Sequence, residues 1–152
     1  MARKFDPRSV GVSLPRKAPI QLHPFSRYFT GFENVPAVRR TFGPRAAQIL
    51  KTVKVEFFSS RFGYMGVSDE DGHLIVSEYY LRTGNPRDIY LDVVHELVHV
   101  KQHRDGQPLF HSRWEYQDRP TEIEAYRVCT DEGRRLAKNL GIRVPKPRKK
   151  RR

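Results

Sequence analysis

The chain has 152 residues, a formal net charge of +12 and one cysteine. That length suits one domain with a single modest core, and one cysteine excludes an internal disulfide and fits a reducing, cytoplasmic setting. No apolar run reaches the roughly 20 residues of a membrane span, and MARKFDPRSVGVSLPRKAP lacks the apolar stretch of a secretory leader.

The charge is unevenly spread. Residues 1–50 hold nine Lys and Arg against Asp6 and Glu33, the tail PKPRKKRR holds six basic residues and no acid, and residues 51–144 hold fourteen basic against fifteen acidic. Basicity is thus expected at the ends, around a nearly neutral middle. Residues 1–35 mix proline, arginine and scattered aromatics without a period and read as a basic arm lacking its own core. A domain is expected over 36–143 and a disordered basic tail over 144–152.

A helix opening at Asn34 or at Gly43-Pro44 is predicted to run to about Leu50. Three β-like runs follow: TVKVEFF (52–58), RFGYMGV (61–67) and HLIVSEYYL (73–81), the last after the acidic turn DEDG. Their short links favour a meander of antiparallel strands. Pro86 suits the first turn of a helix reaching His103, apolar on nearly every side and therefore buried. A polar loop leads to a second helix from Pro120 to Leu140, whose apolar face is expected to begin with Ile123, Tyr126 and Val128, and Gly141 stops it. The fold class is α+β: a small antiparallel or mixed sheet packed on the first of these helices and on the glutamate-bearing helix after it.

The chemistry is concentrated in YLDVVHELVHVKQHRDG. His95 and His99, four apart, project from one helix face and suit a shared metal ion. Glu96 is rotated away by about a third of a turn and suits a general base acting on water. Chance produces HExxH in roughly one or two per cent of such chains, and three ionisable side chains among valines and leucines are costly to bury unless something satisfies them. Zn²⁺ is the expected cofactor. Gln102 and His103, just past the motif, are expected to face solvent. The third ligand is open on the residues alone. Asp105, His111, Glu122 and Glu124 all follow within reach, and Glu124 also fits a capping box with Thr121.

HELVH followed by EA, with Glu124 as the glutamate of that pair, resembles the gluzincin zinc peptidases. It is similar to the one-domain minigluzincins and to the ImmA/IrrE-type peptidases, over about residues 52–140. The resemblance implies a zinc metalloendopeptidase with His95, His99 and Glu124 as ligands and Glu96 as catalytic base. It also implies an edge strand, His73–Tyr80, that aligns a peptide substrate by β-addition. His111, Tyr116 and Arg127 are candidates for stabilising the oxyanion, and Asp92 or Asp131 for bracing a zinc histidine. The alternative is a non-proteolytic protein with structural zinc that meets nucleic acid or an acidic partner through Lys146–Arg152. No membrane partner is expected.

Overall fold

The computed structural model describes residues 5–61, 64–109 and 119–140. Its elements in chain order are β1 (Leu22–Pro24), α1 (Phe25–Tyr28), α2 (Pro36–Phe42), α3 (Ala46–Leu50), β2 (Lys54–Phe58), β3 (Met65–Val67), β4 (Leu74–Ser77), α4 (Glu78–Thr83), α5 (Pro86–Arg104) and α6 (Pro120–Leu140). The class is α+β, with helices packed around a small mixed sheet. Among the described residues no helix is long and apolar enough to cross a membrane.

The sheet order is β1-β2-β4-β3. β3 and β4 form the expected antiparallel hairpin, closed by a turn at Gly72 with φ +72°. A side chain at Gly72 would meet the His103 ring, with its Cβ 2.4 Å from Nδ1. The rest of the meander does not form: β2 pairs with β4 in parallel, Val55 opposite Leu74 and Phe57 opposite Val76. Leu74 and Val76 have no exposed surface, so β4 gains most from the central position, whereas three-residue β3, with Gly66 in its middle, takes the edge. β4 ends four residues sooner than its hydropathy suggests. The Ser77 hydroxyl accepts from the Tyr80 amide at 3.3 Å and starts α4 there. Gly43, at φ +78°, likewise splits the expected helix before Leu50 into α2 and α3.

The largest departure is at the N-terminus. From Phe5 onward the supposed arm is part of the core. β1 pairs antiparallel with β2, and Phe25, Phe29 and Phe32 are at most 1 % exposed. Phe29 stacks on Phe57 (6.2 Å between centroids) and Phe32 on Tyr90 (5.7 Å). Arg16 ties the segment down by donating to the carbonyls of Arg82 and Gly84. Phe25, Phe29 and Phe32 are spaced four and three apart, but they belong to two separate short helical turns, α1 and Phe32–Asn34, with Gly31 at φ +86° between them, so no single helix gathers them into a recognisable element. Arg39, Arg40 and Arg45 are accordingly exposed side chains on folded backbone, not on a loose end.

Helix α5 begins at Asn85, whose side chain accepts from the Arg87 amide at 2.8 Å, with Pro86 as first helical residue. It runs through the middle of the molecule and packs most extensively on α6. A buried polar contact pins that pair: Tyr90 donates to Glu132 at 2.5 Å, and Arg135 holds both carboxylate oxygens. Burial, then the Glu132 bond, pushes the Tyr90 phenol well above its ordinary range. Glu132→Ala is expected to destabilise the protein by about 3 kcal/mol, the low end for a broken buried pair because Arg135 keeps some access to water. Urea unfolding followed by circular dichroism checks this.

Candidate metal centre

His95 and His99 are each 5 % exposed, and together with Glu96 they place donor atoms within 4.8 Å of one another. The second carboxylate of the cluster is Glu122. Its Oε1 lies 3.1 Å from His95 Nε2 and 3.1 Å from His99 Nε2. Ligands of a tetrahedral zinc ion, each about 2.0–2.1 Å from it, lie roughly 3.3 Å from one another. Glu96 Oε2 is 4.0 Å from His95 Nε2, offset from that triangle as a base beside a metal site should be.

Glu124, the ligand expected from the resemblance, is not at the centre. It is exposed, lies in a groove of about 300 Å³ between α2, α5 and α6, and accepts from Gln102 Nε2 at 2.7 Å. Helix phase is the reason. The stripe of α6 that faces inward is Glu122, Ala125, Cys129, Glu132 and Leu136, spaced three and four apart, and Ile123 is 55 % exposed. Two glutamates occupy that stripe because each has a polar partner on α5. The signal was in the sequence, since only the phase through Ala125 and Leu136 carries Glu122 inward, but the apolar Ile123 and Val128 masked it.

Gln102, expected to face solvent, lies inside. It is 2 % exposed and wedged between the helices. His103 is not free either, since its Nε2 lies 3.0 Å from the Asp69 carbonyl under the β3–β4 turn. Asp131 pairs with Arg134 at the surface, and Asp92 accepts from the Tyr80 hydroxyl, adding negative potential near His95. Nδ1 of His95 faces Cys129 Sγ at 3.8 Å, and the Tyr126 ring packs edge-on at 4.4 Å, a neighbour that no motif announced. Arg127 is exposed on α6. His111 and Tyr116 lie outside the described residues. Asp105 caps the end of α5 and pairs with Lys101, away from the cluster.

A cleft of about 60 Å³ opens onto the cluster, lined by Met65, Gly66 and Val67 of β3 with Leu109, Glu96, His99 and Glu122. The strand beside the site is thus the edge strand β3. His73–Tyr80 does not supply it, because β4 is bonded on both sides.

Hydrogen-bond supply tests whether these residues fit a metal ion. Gln102 Nε2 faces two acceptors, the Thr121 carbonyl at 3.0 Å and Glu124, so it is the amide nitrogen that points there. Oε1 must then face His99 Nδ1, at 2.7 Å, and accept its proton. On its other side His99 Nε2 meets a carboxylate oxygen. Burial raises the Glu122 carboxyl, but the bonds to His95 and His99 outweigh it and hold the group well below the usual carboxylate range. Ionised, it only accepts. A neutral imidazole has one proton, and with Nδ1 using it, Nε2 turns a lone pair toward Oε1, an arrangement that a cation between them would satisfy. Without a metal, one imidazolium at His99 beside a neutral His95 protonated on Nε2 would satisfy the count, at the cost of burying a charged ring. One divalent ion satisfies both nitrogens and the oxygen together, so the residues fit zinc.

Comparisons with protein-family profiles, with curated proteins and with solved structures found no match for this chain.

Proposed function

We propose that the protein is a zinc-dependent peptidase with a gluzincin-like site in which His95, His99 and Glu122 hold the ion and Glu96 is the catalytic base. The observation that carries the reading is the convergence of two histidine nitrogens on one carboxylate oxygen at 3.1 Å, with Nδ1 of His99 already spent on Gln102. Zinc, when bound, would acidify a water and polarise a carbonyl. Glu96 is placed to take the proton from that water and deliver it to the leaving amine. The backbone of β3, three residues with Gly66 at the centre, offers an edge on which an extended peptide can lie. His111 and Tyr116 remain the candidates for stabilising the oxyanion. The single cysteine suits a cytoplasmic setting.

Glu96→Gln tests the chemistry. The variant is expected to bind zinc as the wild type does and to lose about 10²–10⁴-fold in hydrolysis of a quenched-fluorescence peptide library. Full hydrolysis by this variant would remove Glu96 from the mechanism.

A second reading, contact with nucleic acid or another polyanion, is favoured by one observation. Arg39, Arg40 and Arg45 are exposed on α2 and the turn after it, and charge on folded elements is what such a surface requires. Charge reversal at these three positions is expected to abolish salt-sensitive binding of a fluorescent oligonucleotide. If only removal of residues 146–152 does so, the tail alone is responsible.

A further inference from the structure

We propose that Gln102 is the positioning residue of the metal centre, presenting the Nε2 lone pair of His99 to the ion, and that Glu124 holds Gln102 in the orientation this requires. The inference rests on the zinc reading and adds what sets the affinity of the site. Gln102 lies three residues after His99 on α5, so its side chain returns over the same face. It is buried, and three bonds fix it: acceptance from His99 Nδ1 at 2.7 Å, and donation to the Thr121 carbonyl at 3.0 Å and to Glu124 at 2.7 Å.

The direction of each bond follows from the last two. A carbonyl and a carboxylate can only accept, so the amide cannot flip without setting its oxygen against both. With its oxygen toward His99, the ring is held with the proton on Nδ1 and the lone pair on Nε2. That tautomer is the one a metal ion ligated through Nε2 needs, and the ion finds it already selected. Among the described residues, His95 Nδ1 faces Cys129 Sγ at 3.8 Å instead of an amide oxygen. The centre is thus asymmetric, with His99 as its pre-set ligand. Glu124, one turn past Pro120 on α6, thereby acts on the centre without touching it.

Zinc affinity by chelator competition, with the visible spectrum of the cobalt-substituted protein, tests this on the full chain. Gln102→Leu is expected to weaken zinc binding about 10–100-fold and to shift the cobalt bands, with the far-ultraviolet dichroism unchanged. Gln102→Glu sets two carboxylates against each other and is also expected to weaken binding. Combining it with Glu124→Gln restores a donor opposite one of the two new acceptor contacts and should recover at least about threefold of the lost affinity, although the Thr121 carbonyl still faces a carboxylate oxygen. A purely packing role for Gln102 predicts no such rescue. Wild-type affinity in folded Gln102→Leu, or a folded double variant no tighter than Gln102→Glu, overturns the inference and leaves the zinc reading standing. If Gln102→Leu fails to fold, the double variant decides. A wild-type protein that takes up no zinc overturns the reading beneath it.

Discussion

Glu122→Ala is expected to abolish stoichiometric zinc binding, whereas Glu124→Ala keeps one zinc per chain. The two glutamates are two residues apart on α6, so about 200° of helix rotation separates them and only one can face His95 and His99. Glu122 Oε1 is 3.1 Å from both nitrogens, and Glu124 is bound to Gln102. Removing a direct ligand should cost more than the roughly 10–100-fold typical of outer partners, while Glu124→Ala should cost less than about tenfold because the Thr121 carbonyl still orients Gln102. Metal content by mass spectrometry on protein purified without chelator decides between them. Zinc retained by Glu122→Ala and lost by Glu124→Ala would restore the assignment that the EA pair suggests and contradict the phase of α6.

Removing residues 1–34 is expected to unfold the protein, not to trim it to a smaller active domain. Phe5, Val12, Phe25, Phe29 and Phe32 all belong to the core that includes Tyr90 of α5 and Phe57 of β2. Losing one buried phenylalanine typically costs about 3–5 kcal/mol, against a total stability of about 5–15 kcal/mol for a domain of this kind. Deleting four of them, together with the strand that pairs with β2, exceeds what the remainder can supply. The expected result is an insoluble or protease-sensitive product without a cooperative thermal transition. A soluble 35–152 fragment that binds zinc would show that β2–β4 and α4–α6 form a self-sufficient domain.

The two long helices were legible because their signals are local. Asn85-Pro86 starts one, Pro120 starts the other, and the i, i+4 spacing of His95 and His99 is a property of the helix itself. The same locality made Glu96 readable as the offset carboxylate. Glu122 was harder, because choosing between two glutamates requires the rotational phase of α6. That phase is set by what packs against α5 and not by the nearest apolar side chain. Ile123 stays in solvent while Glu122 and Glu132 go inside, where each meets polar partners on α5.

The sequence by itself determined the pairing of the two histidines on one helix face with Glu96 offset beside them, the helices that carry them and the α+β class, all of which follow from short-range spacing and end signals. Only the tertiary structure decided the strand order, the docking of residues 5–35, which glutamate meets His95 and His99, and the burial of Gln102. Each of these depends on which surfaces meet across tens of residues, where burial of Leu74, Val76 and the aromatics of the N-terminal segment outweighs local preference. Gln102 shows the limit most clearly. Nothing in its neighbours on the chain says that its amide will lie between a histidine, a carbonyl and a carboxylate, because two of those three groups arrive from a helix that begins eighteen residues later.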